Sequence, residues 1–101
     1  MKPQTNRQSI DGKLVLNSEE AFEHGEGAFW FEDGDAVFFV LLPGMHLARC
    51  PIDGSRAWVW DGNREKPTLT PSILTSMTCG PEREYIELWH GFMTAGRLVS
   101  C

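Results

Sequence analysis

From Gly27 onward the apolar positions of this chain fall into short runs separated by turn residues, and the runs read as strands. Ala28-Phe29-Trp30-Phe31-Glu32 and the run at 36–42 flank the dipeptide Asp33-Gly34. Asp-Gly between two β-branched and aromatic runs is a hairpin signal. The second run is apolar throughout, so it needs cover on both faces. Pro43-Gly44 turns the chain, residues 45–50 make a third strand, and residues 51–54 turn again. Arg56-Ala57-Trp58-Val59-Trp60 alternates with period two, which puts Trp58 and Trp60 on one face before the turn at Asp61-Gly62-Asn63. Thr68-Leu69-Thr70 and Ile73-Leu74 are short extended pieces split by Pro71. A proline there marks an edge strand or a bulge, because it cannot donate to a ladder. Cys79-Gly80-Pro81 is a loop. Residues 85–90 and 92–99 form a last pair, joined near Gly91 or at Ala95-Gly96.

Ahead of the strands the pattern is weaker. Residues 1–13 are polar and read as a loosely ordered arm. Ser18-Glu19-Glu20-Ala21-Phe22-Glu23 can form one short helical turn with Ser18 as N-cap, ending by Gly25. The prediction is an arm at 1–13 and a single β domain at 14–101. Its fold class is mainly β: a compact antiparallel β-sandwich or small barrel of six to seven short strands, with at most one short helical turn near the N-terminus.

Composition narrows the partners. A chain of 101 residues buries roughly two-thirds of its unfolded surface, enough for one core. The net charge of -5 argues against nucleic acid, whose phosphates call for clustered Lys and Arg. Seven carboxylates and no Lys or Arg lie between Glu19 and Asp35, which reads as a solvated acidic face or as a surface for a basic partner. No run of 18 apolar residues is present to span a membrane, and residues 1–13 lack a signal-peptide apolar stretch. Three cysteines leave at least one unpaired within the chain, in keeping with a reducing, cytoplasmic setting.

Few side chains here can do chemistry. His90 follows Glu87-Leu88-Trp89, and alternation puts Leu88 and His90 on one face with Glu87 and Trp89 on the other. Histidine exchanges a proton near neutral pH, and the adjacent Gly91 allows another backbone or a substrate to come close. The bland reading is a structural histidine bonded to a carbonyl. Ser72 lies just after the second of two prolines, Pro67 and Pro71, which fix φ and restrict their neighbours. A hydroxyl held on such a bend suits a nucleophile with a base in reach, or else simply bonds its own turn. A third member would be Asp61 or Glu87; because Glu87 is expected on the face away from His90, Asp61 is preferred, unless it only opens its turn. Cys50, Cys79, Cys101, His46 and His90 are metal-ligand types, but only His46 and Cys50 are near in sequence, so no metal site and no cofactor is predicted. Trp58, Trp60 and Trp89 read as core, or as anchors for a protein partner where exposed.

Arg56-Ala57-Trp58-Val59-Trp60-Asp61-Gly62-Asn63, then Lys66-Pro67-Thr68-Leu69-Thr70-Pro71-Ser72-Ile73, then Trp89-His90-Gly91-Phe92 and Ala95-Gly96-Arg97-Leu98, resemble a family of small phage and prophage proteins. More distantly they resemble the serine peptidase-like component encoded beside bacterial ubiquitin-like conjugation genes. The resemblance covers residues 40–101; the acidic N-terminal half has no counterpart in it. It implies Ser72 as nucleophile and His90 as base. That peptidase-like branch often has a cysteine cluster ahead of the tryptophan strand, where this chain has only Cys50. Two functions follow as expectations. One is a peptidase-like serine hydrolase acting on a protein or peptide substrate. The other is a non-catalytic phage accessory protein that binds and modulates a host protein in the host cytoplasm. The sequence leaves the oligomeric state open.

Overall fold

The computed structural model describes residues 9–54 and 57–101. The described residues form nine strands and one helix: β1 (Ser9–Asp11), β2 (Lys13–Leu14), α1 (Ser18–His24), β3 (Ala28–Glu32), β4 (Val37–Leu42), β5 (His46–Pro51), β6 (Val59–Trp60), β7 (Leu69–Cys79), β8 (Glu84–Thr94) and β9 (Arg97–Ser100). They make a five-stranded sheet in the order β1-β9-β8-β7-β6 and a four-stranded sheet in the order β2-β3-β4-β5. The result is an open sandwich and not a closed barrel. Neighbouring strands are antiparallel, except that β2 runs parallel to β3 over two residue pairs.

Period-two patterning builds the interior. Phe29 of β3, Phe38, Val40 and Leu42 of β4, and Ala48 and Cys50 of β5 point inward from the smaller sheet. Leu69 and Ile73 of β7, Met93 of β8 and Leu98 of β9 meet them from the larger one. Burying each large apolar side chain contributes roughly 1.5–3 kcal/mol. The alternate residues Trp30 and Leu41 point the other way and pack with Ala21 of α1 and Ala28. This explains the apolar run at β4: one face meets the opposite sheet and the other lies under the helix.

Helix α1 is capped by Asn17, one residue before the expected Ser18. The Asn17 side chain accepts from the Glu20 N–H at 3.0 Å, and Glu20 reaches back to the Leu16 N–H at 2.9 Å. Gly25 ends the helix at φ 102°, a conformation glycine adopts without a Cβ penalty.

Some strand boundaries differ from the sequence expectation, and one open alternative is resolved. Residues 1–8 of the expected arm lie outside the described residues, but Ser9–Asp11 pairs with β9 and Lys13–Leu14 with β3. The two pieces split by Pro71 are one eleven-residue strand, β7, with an irregularity at the proline. Strand β8 runs straight through Gly91 and turns at Ala95-Gly96 into β9. Of the expected strand at 56–60, Arg56 lies outside the described residues and Val59–Trp60 is paired.

Candidate active site

Helix α1 covers the outer face of the four-stranded sheet. The outer face of the five-stranded sheet carries the candidate chemistry, and two irregularities between β7 and β8 organise it. Leu69 pairs with Met93, but the next pair is Ile73 with Gly91. Thr70, Pro71 and Ser72 therefore stand against Phe92 alone. Pro71 has no N–H to give, so a bulge is the form in which a strand accommodates it. After the bulge the pairing is regular, with Leu74 opposite His90 and Thr75 opposite Trp89. Residues directly opposite share a face, so Ile73 and Gly91 point inward while Leu74 and His90 point outward.

Ser72 and Leu74 stand two residues apart and so share the outer face, where the Ser72 hydroxyl meets the histidine beside the bulge. Ser72 Oγ lies 2.9 Å from His90 Nε2, and both residues are half-buried. Register places three exposed apolar side chains on the same outer face. Leu74, 46% exposed, is opposite His90; Phe92, 41% exposed, is opposite the bulge; Val59, 70% exposed, is opposite Thr70. The half-buried pair thus lies on a face that also carries exposed apolar side chains.

Gly91 has a definite task beside His90. A Cβ there would collide with the Val99 carbonyl and with the ring of Trp89. The close neighbour that the glycine admits is the protein's own β9 backbone and the indole folded beneath it.

The structure does not bring Asp61 to this pair. Its Oδ1 accepts the N–H of Asn63 at 3.0 Å and of Thr68 at 3.3 Å, holding the turn that follows β6. The Asp-Gly-Asn turn consumes the carboxylate, since such side chains bond the backbone two residues on. Among the described residues no carboxylate hydrogen-bonds His90. Glu87 also departs from expectation. Thr75 pairs with Trp89 and Ser76 with Glu87, so Leu88 is an extra residue in β8 and the alternation between Glu87 and His90 is broken.

The other candidates have structural surroundings. Trp58, Trp60 and Trp89 pack against the main core. Trp60 Nε1 donates to the Asn63 carbonyl at 3.1 Å, and the fully buried Trp30 donates to Glu32 at 2.7 Å. Cys50 is buried, and desolvation pushes its thiol up to about 12. Cys79 and Cys101 are exposed, and all three cysteines are free. Among the described residues no group of three or more His, Cys, Asp or Glu side chains is placed to hold a metal ion. Several residues of the acidic run have local partners: Glu26 accepts from the Gly44 N–H, and Asp35 pairs with Arg64, whose guanidinium lies 4.6 Å over the Phe31 ring. Among the described residues no helix is long and apolar enough to cross a membrane.

Comparison with known proteins adds one finding. The model of a family described as bacterial ubiquitination-like system serine protease (BubE) matches residues 19–101. The match takes in the acidic segment from Glu19 onward, beyond the stretch at 40–101 that carries the resemblance in sequence, and includes both Ser72 and His90. The chain matches no curated protein and no solved structure.

Proposed function

Since the chain belongs to the bacterial ubiquitination-like system serine protease (BubE) family, we propose that it is a serine hydrolase that cleaves an acyl bond in a polypeptide, with Ser72 as nucleophile and His90 as general base. The observation that carries this reading is the 2.9 Å contact between Ser72 Oγ and His90 Nε2 on a solvent-facing surface. A serine hydroxyl is a weak nucleophile until a base takes its proton. Nε2 is placed to do so as Oγ attacks the substrate carbonyl carbon. In that step the C–O bond forms, the carbonyl π pair moves to oxygen, and the imidazole becomes imidazolium. Collapse of the tetrahedral intermediate expels the amine, which takes the proton from Nε2 and leaves an acyl-serine. Water, deprotonated by the same nitrogen, then releases the acid.

The bulge has a second use in this scheme. It takes Ser72 out of the regular β7–β8 pairing, so the Ser72 N–H stands beside its own hydroxyl and is the donor we assign to the developing oxyanion. The exposed Leu74, Phe92 and Val59 suit an apolar side chain near the scissile bond.

Labelling with an alkyl fluorophosphonate tests the reading. The wild type forms an adduct at Ser72; Ser72→Ala forms none, and His90→Ala reacts at least about a hundredfold more slowly, the lower bound for a general base. Equal labelling of all three proteins overturns it and leaves the non-catalytic binding protein as the better account.

A further inference from the structure

The pairing of β7 with β8 places a third functional group. Strand β7 is regular from Ile73 to Cys79, because the extra residue between Thr75 and Ser76 lies on the opposite strand. Leu74 and Ser76 therefore share a face. Leu74 stands opposite His90, and Ser76 stands opposite Glu87. Glu87 is thus on the same outer face as His90, three residues away in sequence, where strict alternation would have put it on the opposite one. Leu88 is the residue that reverses the expectation.

The order along that face is informative. Ser72, opposite Phe92, lies on one side of His90, and Glu87, opposite Ser76, lies on the other. Two residue steps along β7 separate the His90 and Glu87 positions, about 7 Å at the strand rise. A glutamate and a histidine side chain span that distance together. The imidazole has two nitrogens on diverging directions. Nε2 is on Ser72, and among the described residues nothing bonds Nδ1. Glu87 is exposed, and its carboxylate holds no hydrogen bond or ion pair among the described residues. Other nearby acids do not serve. Asp61 is committed to its turn, and Glu84, opposite Cys79, falls on the other face of the ribbon.

We propose that Glu87 is the positioning residue of the pair: its carboxylate accepts the Nδ1 proton of His90 and holds the ring with Nε2 on Ser72. A side-chain rotation closes this contact, and such contacts are commonly looser before substrate binds. The carboxylate fixes the tautomer in which Nε2 is free to accept, and it stabilises the imidazolium formed when the serine proton arrives. This inference rests on the serine-hydrolase reading and adds the member that sequence alternation assigned elsewhere.

The test is the rate at which an alkyl fluorophosphonate phosphonylates Ser72 in the purified protein, with the adduct located by peptide mass spectrometry. Glu87→Gln is expected to slow that rate by at least about tenfold, well inside the effect of removing a histidine-orienting carboxylate. Glu87→Asp, which keeps the charge on a shorter arm, falls between, and Glu84→Gln labels as wild type does. In ¹⁵N spectra of the imidazole, His90 holds its proton on Nδ1 in the wild type and shifts toward Nε2–H in Glu87→Gln, a change that altered stability alone does not produce. Wild-type labelling and an unchanged tautomer in Glu87→Gln would overturn the assignment while leaving Ser72 and His90 in place, as would equal slowing by Glu84→Gln. Absence of a Ser72 adduct in the wild type overturns the hydrolase reading itself and this inference with it.

Discussion

Ser72 reaches His90 diagonally: the residue directly across from the histidine is Leu74, and Ser72, two residues before it on the same face, lies where three residues of β7 are set against the single Phe92. The contact therefore depends on the backbone path of β8 through Gly91. Replacing Gly91 by alanine forces a methyl group into the Val99 carbonyl and the Trp89 indole. Gly91→Ala is expected to lose about 1–3 kcal/mol in urea denaturation, the usual cost of overpacking, and to slow fluorophosphonate labelling of Ser72. Unchanged stability would show that β8 yields at this point more readily than its packing suggests.

Thr75, opposite Trp89 and facing inward, has its hydroxyl buried without a hydrogen-bond partner among the described residues. An orphaned polar group costs about 1–3 kcal/mol, and valine keeps the β-branched shape without the hydroxyl. Thr75→Val is expected to stabilise the fold by about 1 kcal/mol, read from the urea midpoint at unchanged m-value. A destabilised variant would place an ordered water on the hydroxyl.

Cys50 makes stability fall on the alkaline side. Its thiol is pushed up to about 12 by burial, against 9.0 for an exposed thiol. Below pH 9 both states hold the proton and Cys50 adds no pH dependence. Above it the unfolded chain releases the proton and the native chain keeps it, so stability drops by about 1.4 kcal/mol per pH unit until the native thiol ionises. Cys50→Ala should be less stable at pH 7 through its cavity yet show a shallower decline above pH 9. In the native wild type, iodoacetamide should modify Cys79 and Cys101 and spare Cys50.

Asn17 separates fold from chemistry. Its side chain caps α1 on the covered sheet, away from the strands that carry Ser72. Asn17→Ala is expected to cost about 0.5–2 kcal/mol in thermal or urea unfolding. Labelling of Ser72 in the folded variant should match wild type. A parallel fall in labelling would mean that the helix and the open face are coupled.

How much of this could be read from the chain alone is instructive at particular residues. The Asp33-Gly34 hairpin, the apolar run of β4 with both faces covered and the inward Trp58 and Trp60 follow from local period and turn chemistry. So does the choice of Ser72 and His90 as residue types. Their proximity does not, because it depends on the register of two eleven-residue strands, and register is set across the sheet. The bulge at Thr70–Ser72 was one of two readings of Pro71. The extra residue at Leu88 has no sequence signal of its own, with no proline or glycine at that position. One unmarked residue was enough to move Glu87 to the face of His90. Asp61 is preferred in sequence only because alternation puts Glu87 away from His90, but Asx turns use their carboxylates locally, and Asn63 and Thr68 take this one. Asn17 replaced Ser18 as cap for a simpler reason: both residue types cap, and a one-residue difference in helix start decides between them.

The alternation along β7 and β8 divides these strands into two independent inheritances. Leu69, Ile73 and Met93 belong to the scaffold, while Ser72 and His90 belong to the reaction. Point changes in one set can leave the other untouched, so a descendant can fall silent and still look the same from the backbone. Changes of length are different. Removing the one extra residue of β8 at Leu88 would return Glu87 to the face opposite His90. The face a side chain joins is set here by the count of residues along the strand, more than by the identity of any one of them.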